Sequence, residues 1–126
     1  LLGNNFGLLH SFHRGRVILR RLALATSPAA RLLVQSLDIH RTSDPRHLAY
    51  HRRNRARGRA PGQIRFRVRF EHRSTPWFDY LMVSQLEMRR MIAGTGWRIE
   101  RIHPSDGPSY GACLIKIPQR QGNARF

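Results

Sequence analysis

The sequence predicts an α/β fold, and three observations support this fold class. Residues 1–39 are arranged as a strand end, a helix and a strand. Residues 64–70 alternate between apolar residues and arginine, a pattern typical of a half-buried strand. Two more strand patterns follow a helix with a strong start signal. This order of elements favours a sheet that is covered by helices.

The composition indicates one domain with one core. A chain of 126 residues with 40% apolar residues is long enough to bury a core. The sequence has no run of about 20 uncharged apolar residues, so we expect no membrane span. The single cysteine, Cys113, lies in an alternating run and cannot form a disulfide within the chain. We therefore expect Cys113 to be a buried strand residue in a protein of the reducing cytoplasm.

The chain is strongly basic, with 23 basic residues, 7 acidic residues and a net charge of +16. Half of its arginines lie between His40 and Arg73. Basic clusters are typical of nucleic-acid-binding proteins, because they displace counterions from phosphates. An arginine bias of this size also arises from the coding composition of a genome, so the charge alone does not indicate a function.

The first 39 residues predict a strand, a helix and a second strand. Residues 1 and 2 are expected to end a strand, and the glycines of the following Gly-Asn-Asn-Phe-Gly segment permit positive φ angles. Apolar residues at helical spacing predict a helix over residues 10–25, which Pro28 ends. Residues 30–39 are mostly apolar, which predicts a strand buried on both faces of a parallel sheet.

Residues 40–62 are polar and basic, and they contain two prolines and two glycines. They predict a long loop with one helical turn near residues 47–53. The next segments predict an antiparallel strand pair, 63–70 with 77–83, joined by a turn near 74–76. The buried face of the first of these strands is expected to consist of Ile64, Phe66, Val68 and Phe70.

The helix that follows has a clear start signal. Ser84 and Glu87 have the spacing of a capping box, and Val83 and Met88 have the spacing of a hydrophobic staple. Gly94 is expected to cap the end of this helix. Its buried face is expected to include Leu86, Met91 and Ile92.

Two strands are expected at the end of the domain. Residues 96–102 and 109–117 predict an antiparallel pair joined by a loop at 103–108. The residues after Ile117 are expected to form a frayed tail, so that the domain covers 1–117 and the tail 118–126.

Four segments resemble parts of a known family: LLGNNFG at residues 1–7, YHRRNRARGRAPGQIRFRVRF at 50–70, TPWFDYLMVSQLEMRRMIAGTGWRIERI at 75–102 and SYGACLIK at 109–116. With these segments the chain resembles the C-terminal half of a class I S-adenosylmethionine-dependent methyltransferase. The resemblance implies a partial Rossmann-like sheet that holds strands four to seven, with the last strand reversed. It also implies that residues 40–83 are an insertion with an antiparallel strand pair, and that strands one to three precede Leu1.

The resemblance further implies a site for S-adenosylmethionine. Ligands of open α/β sheets bind beyond the carboxyl ends of the strands. The resemblance implies that the loop after Leu2 lies at such an end. The expected cofactor-binding residues are therefore Gly3, Asn4, Asn5 and Phe6. An asparagine amide can hydrogen-bond a carboxylate or the methyl acceptor, and a phenylalanine ring can pack on the sulfonium.

The insertion at 40–83 is expected to cover the pocket for the methyl acceptor. The resemblance implies in-line methyl transfer, in which positioning of the two reactants supplies most of the catalysis. A catalytic base is needed only for an acceptor that is not already nucleophilic, and His51 and Tyr50 are then the candidates. The expected acceptor-binding residues are Tyr50, His51, Asn54, Arg59, Gln63, Trp77 and Phe78.

These residues also have a purely structural interpretation. Asn4 and Asn5 suit a tight turn, since asparagine tolerates left-handed geometry. Phe78 and Trp97 are typical of a core, whereas Trp77, beside the basic loop, is expected to be exposed. The seven histidines do not have the spacing of a metal site with cysteine or carboxylate partners, so we expect no metal.

The alternative hypothesis is a small basic nucleic-acid-binding module, or a methyltransferase that acts on RNA. The arginine cluster favours it. The strand at 63–70 argues against it, because alternation directs the arginines and the phenylalanines to opposite faces, where they form no stacking platform. If the methyltransferase resemblance holds, we expect the chain alone to be poorly soluble or to pair with another molecule, and to lack methyl transfer, because half of a sheet exposes an edge and apolar surface.

Overall fold

The computed structural model describes residues 1–118, and the predicted tail at 118–126 lies outside this range except for Pro118. A 3-10 helix, Asn5–Leu9, precedes the first α-helix. The helices are α1 (Phe12–Ala25), α2 (Pro45–Ala56) and α3 (Gln85–Ile92). The strands are β1 (Arg31–Leu37), β2 (Gln63–Phe66), β3 (Arg69–Phe70), β4 (Arg73–Ser74), β5 (Phe78–Leu81), β6 (Trp97–Pro104) and β7 (Ser109–Lys116). Within the described residues, no helix combines the length and the apolarity needed to cross a membrane.

Three strands form the main sheet in the order β1, β7, β6. Strand β7 is antiparallel to both neighbours, so β1 and β6 run parallel to each other on either side of a reversed strand. Val34 pairs with Ala112 on one side of β7, and Ile99 pairs with Leu114 on the other side. The predicted pairing of the last two strands and the reversal of the last strand are confirmed.

The backbone of Leu1 extends this sheet along the edge of β1 that faces away from β7. The nitrogen of Leu1 donates to the carbonyl of Leu33 at 3.0 Å, and the carbonyl of Leu1 accepts from the amide of Gln35 at 3.1 Å. A residue that bonds to both neighbours of one opposite residue is paired in the parallel sense. The backbone at Leu1 therefore runs parallel to β1 in the sheet. Helix α1 lies between Leu1 and β1 in the chain.

Strand β1 is shorter and more exposed than predicted. It covers Arg31–Leu37 rather than 30–39, and it pairs in antiparallel fashion with β7. Within β1, Val34 and Ser36 are buried, whereas Leu33 is 54% exposed. The prediction of burial on both faces was wrong, because a short apolar run does not distinguish one covered face from two.

One core joins α1, α3 and the main sheet. Leu19, Met91 and Trp97 are almost completely buried there, and the indole nitrogen of Trp97 donates to the carbonyl of Leu19 at 2.9 Å. Gly15 permits the close approach of α1 to α3, because a Cβ atom at this position would clash with the side chain of Met91. The core position of Trp97 and the burial of Cys113 in a strand are confirmed.

Residues 45–56 form a helix of three turns where the sequence predicted a loop with one helical turn. The Asp44 side chain caps this helix by accepting a hydrogen bond from the amide of Arg46 at 2.8 Å, and Pro45 occupies its first position. Aspartate before proline is a helix start signal. The prediction missed it because α2 has almost no apolar face, with His51 and Asn54 as its buried residues.

Strands β2 and β5 pair in antiparallel fashion, as predicted. The predicted single strand over 63–70 was wrong beyond Phe66, where the chain leaves this pair. Val68 is 53% exposed and Phe70 is 72% exposed, so they are not part of a buried face. Phe70 belongs to a small ribbon of β3 and β4, and Val68 directly precedes this ribbon. The chain turns earlier than predicted, at Glu71 with a φ of 50°. The ribbon extends past the core, so no other layer covers the apolar side chains that alternate with arginine there.

The predicted capping box of α3 is confirmed. The Ser84 hydroxyl accepts from the amide of Glu87 at 3.2 Å, and the Glu87 carboxylate accepts from the amide of Ser84 at 2.7 Å. Gly94 has a φ of 72°, as expected for a glycine just beyond a helix. Leu86 was wrongly placed on the buried face, since it is 57% exposed, and Met88 lies in the core instead.

Candidate functional site

The loop that follows Leu1 lies at the carboxyl end of the pairing with β1. The amide of Gly3 donates to the side-chain oxygen of Gln35 at 2.9 Å, which ties the loop to the strand. Gly3 and Asn4 both have φ angles near +64°. Gly3 and Asn5 are exposed and Asn4 is half-buried, whereas Phe6 is completely buried in the core. The polar part of the loop is thus accessible to solvent, and the buried side chain of Phe6 anchors the loop to the core.

The residues at both ends of the 3-10 helix have positive φ angles, a backbone conformation that residues other than glycine rarely adopt. Asn4 at one end has a φ of 64° and His10 at the other has a φ of 77°. Among the described residues, Asn4 Oδ1 and His10 Nδ1 are the buried side-chain atoms that have no hydrogen-bond partner. Buried polar atoms are normally paired, and backbone strain concentrates at functional sites. These observations single out the 3-10 helix as a candidate ligand-binding element.

Strand β5 connects this helix to the predicted acceptor side through Tyr80 and Asp79. The Tyr80 hydroxyl donates to the carbonyl of Asn4, and its ring lies where a Cβ atom on Gly7 would be. Burial raises the pKa of Tyr80, so it stays a donor at neutral pH. Asp79 Oδ2 lies 3.9 Å from His10 Nδ1. No sequence pattern predicted a role for Tyr80, Asp79 or His10, although Asp79 is the one charged residue in an otherwise apolar and aromatic run.

Three of the predicted acceptor-binding residues form a polar cluster around Asp79. Arg59 donates to the Asp79 carboxylate at 2.7 Å, and Gln63 donates to it at 3.2 Å. The buried side chain of Asn54 donates to the carbonyls of Pro61 and Gln63 at 2.9 and 2.8 Å. Asn54 therefore fixes the loop after α2, which brings Arg59 to Asp79.

A cavity of about 820 Å³ opens between the end of β1, the helix α2 and the strand pair. Two predicted acceptor-binding residues, Tyr50 and His51, contribute to its wall. Its lining consists of Leu37, Asp38, Ile39, Arg41, Thr42, Arg46, His47, Tyr50, His51, Ile64, Arg65, Met82 and Pro108. The volume is sufficient for a small organic molecule. Neither the loop with Gly3 nor the cluster of Asn54, Arg59 and Gln63 is part of this lining, so the predicted residues do not form a single site.

His51 is held neutral in the wall of the cavity. Burial lowers its pKa, and the electrostatic interactions with His40 and Arg55 lower it further. The ring of His40 lies 6.3 Å from the ring of His51, and His40 Nε2 lies 3.2 Å from a carboxylate oxygen of Glu87. A neutral imidazole is able to accept a proton, which suits the role predicted for His51.

The two predicted aromatic residues lie outside the cavity. Phe78 packs against Phe66, with ring centroids 4.6 Å apart. Trp77 is 54% exposed, as predicted, and the guanidinium of Arg67 lies 4.9 Å from the centre of its ring. Their binding roles stay predictions. Among residues 1–118, no three histidine, cysteine, aspartate or glutamate side chains are placed so that they could hold a metal ion.

Solved methyltransferases share this fold. A crystal structure of an S-adenosylmethionine-dependent methyltransferase from Bacteroides fragilis, in complex with S-adenosyl-L-homocysteine, matches with a TM-score of 0.73 and 20% sequence identity, over 93% of this chain and 46% of that chain. The CcbJ methyltransferase from Streptomyces caelestis matches with a TM-score of 0.53 and 11% identity, over 90% of this chain and 58% of that chain. No protein-family model and no curated protein matches the sequence.

The predicted fold class is confirmed by these similarities. The chain has a mixed α/β architecture of the kind found in methyltransferases, with a reversed strand between two parallel ones. It spans about half the length of the two solved structures that it resembles. The resemblance of the sequence to part of a methyltransferase therefore holds at the level of the fold.

Proposed function

We propose that the protein transfers a methyl group from S-adenosylmethionine, and that this chain supplies the C-terminal half of its catalytic domain. The observation that supports this most strongly is the sheet. Its reversed strand β7 lies between β1 and β6, and the backbone of Leu1 pairs in parallel to β1. In open α/β sheets the ligand lies beyond the carboxyl ends of the parallel strands, which is where the loop after Leu1 begins.

The residues of this loop fit the polar end of the cofactor. A Cβ atom at Gly3 would meet no atom nearer than 4.0 Å, so the backbone there is open to a ligand. Asn4 has a buried oxygen without a partner, and the amide of Asn5 is exposed. We propose that Gly3, Asn4 and Asn5 bind the amino acid part of the cofactor. Phe6, which is completely buried, holds the loop in place from the core.

We propose that the methyl acceptor binds in the cavity beside α2. Bound S-adenosylmethionine would supply a methyl group on a positively charged sulfur, and the carbon–sulfur bond would break as an acceptor lone pair bonds to the carbon. An acceptor in the cavity would be oriented by Tyr50 and could release its proton to the neutral ring of His51. The cluster of Asn54, Arg59 and Gln63 fixes the wall of the cavity, since these side chains bond to protein groups. A nucleic-acid acceptor has only the net charge in its favour, and we do not propose one.

The binding of S-adenosyl-L-homocysteine tests this function without knowledge of the acceptor. The experiment is titration calorimetry on the intact protein, by which we mean the product of the reading frame that encodes this chain. We expect one site, weakened about fivefold by Asn5→Ala, as for the loss of one neutral hydrogen bond. Gln85→Ala, at an exposed position at the start of α3, is the control. Absence of binding, or equal effects of the two substitutions, would count against the proposal.

A further inference from the structure

The cavity at the end of β1 combines apolar walls with unusually basic edges. Ile64 and Met82 are among its apolar lining residues, and three arginines line it together with a single carboxylate, that of Asp38. An apolar ligand without charge would not require arginine at the wall. A cavity of this kind is complementary to a molecule with an apolar body and an anionic group.

Arg65 is one of the residues that line the cavity, and it has no ion-pair partner among the described residues although an aspartate lies directly opposite it. In the register of the strand pair, Arg65 faces Asp79. The carboxylate of Asp79 is already bound to Arg59 at 2.7 Å and to Gln63 at 3.2 Å. Within residues 1–118, Arg65 takes part in no ion pair. Its charge at the cavity is therefore uncompensated by a direct partner.

The other charges of the cavity do not offset this. Arg41 gives one hydrogen bond to the carbonyl of Gly107 at 2.7 Å and has no carboxylate partner among the described residues. Arg46 is neutralised by Asp44, whose carboxylate lies 2.8 Å away. Asp38 Oδ1 accepts from the backbone amide of His40 at 3.0 Å, so one of its oxygens is already satisfied. The guanidinium groups of Arg41 and Arg65 thus remain available to a ligand.

We propose that this cavity binds a small organic anion, an apolar molecule with one carboxylate, sulfonate or phosphate group that Arg41 and Arg65 hold. A guanidinium binds such oxyanions with two parallel hydrogen bonds, and the apolar walls exclude water from the body of the ligand. That this anion is the methyl acceptor rests on the proposed function. The binding of an organic anion does not.

Two fluorescent probes of the same shape test the proposal on the intact protein. One is 8-anilinonaphthalene-1-sulfonate, and the other is N-phenyl-1-naphthylamine, which lacks only the sulfonate. We expect the sulfonate to bind at least about tenfold more tightly, the change that one charge-assisted hydrogen bond supplies. The substitution Arg65→Gln should weaken the binding of the sulfonate several-fold, with Arg41 still present, and leave the affinity for the neutral probe unchanged, which also shows that the cavity is intact.

The matched control is Arg69→Gln, which removes one charge from the exposed strand β3. We expect it to leave the binding of both probes unchanged. Equal affinities of the two probes would overturn the proposal, and so would equal losses of sulfonate binding in Arg65→Gln and Arg69→Gln, because the net charge alone would then explain the binding. These readouts are independent of S-adenosyl-L-homocysteine binding, so a failure here is distinguishable from a failure of the proposed function.

Discussion

Asp79 is the residue on which the polar side chains of the site converge. It binds Arg59 and Gln63 and lies 3.9 Å from His10, so it connects the 3-10 helix with the loop after α2. Sequence patterns predicted Arg59 and Gln63 through a resemblance, but not their common partner. An aspartate in an apolar strand is visible in the sequence, whereas its partners come from segments 16 to 69 positions away in the chain.

The substitution Asp79→Asn should destabilise the protein by about 1 kcal/mol, because the half-buried guanidinium of Arg59 loses its counter-charge. The free energy of unfolding in urea is the measurement. Glu100→Gln is the control, since its pair with Arg31 is more exposed and should contribute less. An equal effect of the two substitutions would show that Asp79 has no special structural role.

His51 makes the stability depend on pH. Burial lowers its folded-state pKa below the ordinary value of 6.5, so the unfolded chain binds the proton more readily. The free energy of unfolding should therefore fall as the pH falls below about 6.5. The groups that act on His51 are His40, His47 and Arg55, which lower the pKa, and Glu87, which raises it.

The measurement for His51 is urea unfolding at pH 8 and pH 5. The substitution His51→Gln should reduce the loss of stability between these two pH values, whereas His103→Gln, at an exposed position, should not. Identical losses in the wild type and in His51→Gln would show that another group causes the dependence.

At the scale of the elements, local signals predicted α3 and failed for α2. The capping box at Ser84 needs only four consecutive residues, so it is visible in the sequence. Helix α2 was missed because its composition is polar, although Asp44 and Pro45 mark its start. The ribbon of β3 and β4 was missed because alternation predicts a buried face only where another layer covers it.

The substitution Ser84→Ala should cost about 1 kcal/mol of stability, since the amide of Glu87 loses its hydrogen-bond partner at the start of α3. Thermal unfolding and urea unfolding both report this change. Ser43→Ala, in an exposed segment before α2, should leave the stability unchanged. A Ser84→Ala variant as stable as the wild type would mean that the cap does not hold α3 in place.

At the scale of the whole molecule, the resemblance predicted the order of the sheet and an acceptor pocket with Tyr50 and His51, but it did not predict the other residues that line the cavity. The reversed strand follows from the family pattern and from the hairpin of β6 and β7. The cavity has walls from β1, α2, β2 and the segments after β5 and β6, so its lining depends on packing that no local pattern records.

Exposed leucines lie at the edge of the sheet beside Leu1, which affects how the 126-residue chain behaves on its own. Leu1 and Leu2 are exposed, as is Leu33 on β1, so this edge of the sheet presents apolar surface. We expect the isolated chain to associate or aggregate and to show no methyl transfer. Light scattering coupled to size-exclusion chromatography measures this. An isolated chain that is monomeric and unfolds cooperatively would contradict the prediction.

The most direct test of the half-domain proposal is the nucleotide sequence upstream of the codon for Leu1. We predict an open reading frame that encodes a strand, a glycine-rich turn and a strand that ends in an acidic residue, since these features would complete the cofactor site. A start codon within a few residues of Leu1 would contradict the proposal, because the chain would then lack the first half of a methyltransferase sheet.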